Sequence, residues 1–167
     1  MAGPVKDKIM YTKYKSYVAI FIVLALSVVP DVLAQNKTSD DKSTVPAGMQ
    51  YWYDIEKEAI KTSSGLQYKI LIAGNGRKPK PKSTVKVHYR GLLTDGRQFD
   101  TSFDADEPIE LRLTQVIKGW TEGIQLMPAG SVFVFLIPPE LAYGEKGAGV
   151  IPPDATLIFE VELFGTK

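Results

Sequence analysis

The chain of 167 residues is 44% hydrophobic, with Gly and Pro at ordinary levels, which suffices for one globular domain with a real core plus appendages. It has no Cys, so disulfides, thiolate zinc sites and a cysteine nucleophile are excluded. The formal charge is +1, and beyond the lysine-bearing N-terminus the remainder is close to neutral, lacking the basic stripe with interleaved aromatics that a nucleic-acid partner requires.

The N-terminal stretch ends its charged part at Lys15 and continues as the uncharged run from Val18 to Val29, then Pro30, Asp31 and Val32-Leu33-Ala34. Charged region, apolar region and small-residue site predict an export signal over residues 1–34, cleaved between Ala34 and Gln35. As a helix the apolar run rises only about 18 Å against a hydrocarbon thickness of about 30 Å, so a membrane association is expected only if the signal stays uncleaved. The mature protein is expected in the periplasm or the medium. Residues 35–63 read as a linker, polar from Gln35 to Gly48 and carrying a possible short helix from Tyr51 to Lys61 with Trp52, Ile55 and Ala59 on one face.

From residue 64 onward, short β-branched and aromatic runs alternate with turn chemistry, predicting an α+β unit over residues 64–167. Strands are expected at Leu66 to Ala73 and Ser83 to Leu93, the second with Val85, Val87 and Tyr89 inward and Lys86, His88 and Arg90 in solvent. Asp95-Gly96 predicts a hairpin turn into a partner strand at Arg97 to Thr101. A strand at Ile109 to Leu113 follows, then a helix over Thr114 to Leu126 capped by Thr114. Strands at Ser131 to Ile137 and Thr156 to Phe164 flank a long loop from Pro138 to Asp154, rich in Pro and Gly and expected to be functional.

Taken without any family, the residues argue against most enzymes, and no carboxylate pair stands out for hydrolysis. His88 is the only histidine and reads as a solvated strand residue, without the partners of a triad or zinc site. No metal site or cofactor is expected. Asp104, Asp106 and Glu107 read as a solvated charge cluster. The density of aromatic and aliphatic side chains at strand ends and in the long loop favours an apolar pocket with a few polar handles.

The segment Val85-Lys-Val-His-Tyr-Arg-Gly-Leu-Leu-Thr-Asp-Gly-Arg-Gln-Phe-Asp100 resembles the signature of the FKBP-type peptidyl-prolyl isomerases. Further matches follow in order at Val116-Ile-Lys-Gly-Trp120, Glu122-Gly123, Met127, Leu141-Ala-Tyr-Gly144, Val150-Ile-Pro-Pro153 and Ala155 to Leu163. The resemblance covers about residues 64 to 165, and its opening Ser64 to Lys69 is similar to exported bacterial members. It implies a curved antiparallel β-sheet wrapped around one short α-helix, with a hydrophobic pocket between them. The pocket would be lined by Tyr89, Phe99, Val116, Ile117, Ile151 and Phe159, with Trp120 as its floor. Tyr143 would donate its hydroxyl to a substrate carbonyl, and Asp100 would act on the twisted amide or fix the wall through Tyr89. The implied partners are proline-containing polypeptides and macrolide inhibitors, and the implied reaction is rotation about an Xaa-Pro bond, assisting the folding of exported proteins. A proline-directed binding module or holdase chaperone using the same pocket is the alternative. The chain departs from the family pattern at Ile109, Leu111 and Ala105 and in a loop after Tyr143 that is one residue shorter and carries Ala148. The stretch before Ser64 is too short for a long dimerising helical arm, and a monomer is expected.

Overall fold

The computed structural model describes residues 57–167, so the export signal and most of the linker lie outside the described residues. Seven strands form one antiparallel sheet: β1 (Ile60–Lys61), β2 (Gln67–Ile72), β3 (Thr84–Leu93), β4 (Gln98–Thr101), β5 (Ile109–Arg112), β6 (Ser131–Ile137) and β7 (Leu157–Thr166). Their order is β1-β2-β6-β7-β3-β4, with β5 also paired to β3. Because β3 is ten residues long, its outer edge serves both neighbours: β5 pairs with Thr84 to Val87 and β4 with Arg90 to Leu92. The helix α1 (Lys118–Leu126) buries Trp120 and Ile124. The expected α+β architecture is present. The helix anticipated from Tyr51 to Lys61 does not run to its end, since Ile60–Lys61 pair with Tyr68 and Gln67 as β1.

Alternation along the strands sends one set of side chains into the main core. Val85 and Val87 of β3, Phe133, Phe135 and Ile137 of β6, and Leu157, Phe159, Val161 and Leu163 of β7 pack there with Trp120, Ile124 and Met127. The opposite set of β6 and β7 forms a second, smaller cluster of Leu92, Val134, Leu136 and Ile158. All seven residues of β6 are therefore buried, and the strand has no wet face.

The hairpin between β3 and β4 is closed by Leu93 N donating to Arg97 O at 2.9 Å, with Gly96 at φ 87° as Asp95-Gly96 predicts. Two expectations are corrected. The segment Leu113–Gln115 is a 3₁₀ turn, and α1 begins only at Lys118 with Ile117 as its N-cap residue, so Thr114 caps nothing. Thr121 does the tying instead, donating from Oγ1 to Leu113 O at 2.7 Å. His88 is fully buried, not solvated. Its ring stacks on Phe103 at 4.9 Å, meets Phe164 edge-on at 5.7 Å, and its Nδ1 lies 3.1 Å from Ser102 Oγ. Alternation had placed it on the correct face; two aromatic rings on that face remove the water.

Candidate active site

Four aromatic side chains from four elements meet above the sheet. Trp120 of α1 meets Tyr89 of β3 at 5.0 Å and Phe159 of β7 at 5.2 Å, both nearly perpendicular, and Phe99 of β4 meets Phe159 at 5.4 Å and 88°. Edge-to-face contacts of this kind contribute about 0.5–1.5 kcal/mol each beyond burial. Trp120 is 4% exposed, and its indole Nε1 makes no hydrogen bond among the described residues.

A β-bulge explains how Phe99 and Asp100, adjacent in sequence, both join this group. Gly91 pairs with Asp100 and the next residue, Leu92, pairs with Gln98, leaving Phe99 as the extra residue. The bulge breaks the two-residue alternation and turns the ring inward. Gly91 makes room: a Cβ there would stand 2.7 Å from Phe99 Cζ and 2.9 Å from Phe159 Cε1. Neither the bulge nor Gly91 was read from the sequence as part of the site, although a glycine inside an otherwise β-forming strand was the available signal.

The polar handles stand at the rim. Tyr89 donates its hydroxyl to Asp100 Oδ2 at 2.6 Å. Burial first, then this hydrogen bond and the charge of Asp100, push the Tyr89 hydroxyl far above the usual phenol range, so it remains a protonated donor. Ser102 sets the backbone of Tyr89 from the other side, accepting from Tyr89 N at 2.8 Å and donating its own N–H to Tyr89 O at 3.0 Å. It too escaped the sequence reading. Tyr143 is 40% exposed and close enough to Tyr89 to influence its ionisation.

The remaining expected residues border the same core. Val116 and Ile117 lie against it just before α1, and Ile151 is buried in it. The loop carrying Tyr143 and Ile151 has more order than its composition suggests. It holds 3₁₀ turns at Pro139–Leu141 and Gly144–Lys146, and Ala148 and Ile151 exchange backbone hydrogen bonds of 3.0 and 2.9 Å. Asp154 N donating to Gly144 O at 3.0 Å closes its base. Tyr89, Phe99, Trp120 and Phe159 thus meet in one aromatic cluster, Val116, Ile117 and Ile151 belong to the same core, and the exposed Asp100 is tied to the cluster through Tyr89.

Residues 75–164 match the family described as FKBP-type peptidyl-prolyl cis-trans isomerase. Over 113 residues the chain is 59% identical to an FKBP-type peptidyl-prolyl cis-trans isomerase FkpA of Aeromonas hydrophila, covering 67% of this chain and 42% of that protein. The crystal structure of FkpA from Escherichia coli is similar with a TM-score of 0.65 and 45% identity, covering 72% of this chain and 57% of that one. A peptidyl-prolyl cis-trans isomerase from Pseudomonas syringae is similar with a TM-score of 0.64 and 32% identity, covering 79% of this chain and 99% of that one. The chain spans about half or less of the length of the curated FkpA relatives it matches. By this match over more than half its residues, the chain belongs to the FKBP-type peptidyl-prolyl cis-trans isomerase family.

Proposed function

We propose that this protein catalyses rotation about Xaa-Pro bonds in proline-containing polypeptides. The observation that carries the reading is the four-ring cluster of Tyr89, Phe99, Trp120 and Phe159 beside the carboxylate of Asp100. Conjugation of the amide sets a barrier of about 18–20 kcal/mol, and rotation makes and breaks no bond between heavy atoms. A catalyst therefore needs no nucleophile. A proline ring seated on Trp120, against Val116, Ile117, Ile151 and Phe159, places its amide in a region poor in water. There the twisted, less charge-separated amide is favoured over the planar one. Tyr143 donates to a substrate carbonyl, and Asp100, held by Tyr89, faces the amide as it twists. The same recess accepts macrolide inhibitors.

The charged, apolar and small-residue pattern of residues 1–34 supports an exported protein that acts on folding clients outside the cytoplasm. Uncatalysed isomerisation takes tens to hundreds of seconds, slow enough to limit folding there. A protease-coupled assay on an Xaa-Pro peptide tests the activity: a rate well above buffer is expected. A rate equal to buffer, with peptide still bound, leaves a proline-directed binding module in its place.

A further inference from the structure

The connection from β2 to β3 runs Ala73-Gly-Asn-Gly-Arg-Lys-Pro-Lys-Pro-Lys-Ser83, with four basic side chains and no acidic one. Arg77, Lys78, Lys80 and Lys82 are all exposed, and none forms an ion pair among the described residues. Arg112, also exposed, joins them, since Leu113 N donates to Ser83 O and Arg112 pairs with Thr84. Glu110, two residues before Arg112, is already taken by Lys167 at 2.6 Å.

The segment is fixed in place. Gly76 N donates to Ala129 O at 3.0 Å, Ala129 N donates to Arg77 O at 3.2 Å, and Ser83 N donates to Lys80 O at 3.0 Å. Pro79 is buried while the lysines on either side are exposed. Alternating prolines also limit the backbone, so the cations are held out with little entropy left to lose.

Directly before this basic segment, β2 ends in three exposed aliphatic side chains, Ile70 at 44%, Leu71 at 36% and Ile72 at 43%. Five cations without an ion pair among the described residues, following on three exposed aliphatic side chains, complement a surface of anionic headgroups over acyl chains. Location agrees. The segment lies at the end of the sheet where β6 starts, next to Ala129, whereas the loop bearing Tyr143 and Ile151 leaves from the other end of β6. Seven residues of strand separate the two by about 20 Å.

We infer that this pole, Ile70 to Lys82 with Arg112, docks on an anionic lipid surface and holds the recess away from it. The docking does not depend on residues 1–34.

Because the chain has no Cys, a single Ala73→Cys can carry an environment-sensitive dye in the full-length protein. Vesicles of phosphatidylcholine with phosphatidylglycerol should shift its emission to the blue, and phosphatidylcholine alone should not. Salt should reverse the shift. Replacing Arg77, Lys78, Lys80 and Lys82 by Gln should raise the lipid concentration at half-effect by at least about tenfold. A dye on Glu145→Cys, at the recess end, should stay silent. The inference is overturned if the dye at position 73 is silent on anionic vesicles, if the four-fold Gln variant responds like the parent, or if the dye at 145 responds equally. It is also overturned in favour of an acidic protein partner if soluble polyglutamate alone produces the same shift.

Discussion

The two faces of the sheet bury side chains in opposite ways. On the helix side, Tyr89, Phe99, Trp120 and Phe159 meet as rings, and no carboxylate is buried among them. On the other side, ionisable groups are buried next to aliphatic ones: His88, Glu160 and Glu162 are at most 4% exposed beside Val132, Val134 and Ile158. Arg90 reaches Glu160 at 2.8 Å, whereas Glu162, cross-strand from His88, sits among groups that desolvate it. Burial and the nearby charge of Glu160 push the Glu162 carboxyl up to about 7. An aromatic face frames the candidate site, and a buried face that carries carboxyls makes stability depend on pH.

Trp120→Ala should break the helix-side face most severely. Loss of the floor removes isomerisation in the protease-coupled assay, and the cavity costs about 3–5 kcal/mol in urea unfolding. Gly91→Ala should cost less, about 1–3 kcal/mol, because its Cβ collides with Phe99 and Phe159 and forces both rings to move. Its catalytic loss should exceed that of an equally destabilising change on the far face; equal losses would mean that ring placement does not govern turnover.

Glu162→Gln sharpens the comparison from the other side. The folded-state pKa is raised, so the neutral form is the one that fits. That stability is fully present below about pH 4.5, the unfolded value, and is lost as pH rises through about 7. Glu162→Gln should match the parent near pH 4.5 and exceed it by about 3 kcal/mol above pH 8, as read from urea midpoints across that range. A parallel displacement at every pH would assign the effect to packing.

Asp100→Asn should hardly move stability, since Tyr89 can still donate to the amide oxygen. It should lower kcat several-fold with less effect on peptide binding, because only an interaction stronger in the transition state accelerates the step. An unchanged kcat would leave Asp100 a wall-fixing residue. The smallest effect belongs to Asp95→Ala: its pairing with Arg97 is exposed at the hairpin tip, and neither melting temperature nor activity should change measurably.

The sequence carried the helix-side face well and the far face poorly. Period-two alternation in β3 and the Asp95-Gly96 turn are local signals, and the ordered run of family motifs brought Tyr89, Asp100, Trp120 and Phe159 to one place. The bulge at Phe99 was not legible, because inserting one residue in a pairing leaves no mark until the partner strand is known. His88 was misread for a related reason: alternation assigns a face but does not say that Phe103 and Phe164 will stand on it. Thr114 looked like a cap because residue type alone does not distinguish a 3₁₀ turn from the first turn of an α-helix.

The position of β7 has a kinetic consequence. It lies between β6 and β3, and it is the last of the strands along the chain. Until residues 157–166 are present, no strand pairing joins β1, β2 and β6 to β3, β4 and β5, and Phe159 is missing from the ring cluster. The domain therefore closes in one late step that joins segments some seventy residues apart, as in the pairing of Tyr89 with Val161. Long-range closure of this kind slows folding. While it waits, the growing chain leaves one edge of β6 unpaired, the state in which so apolar a strand is most open to misassembly.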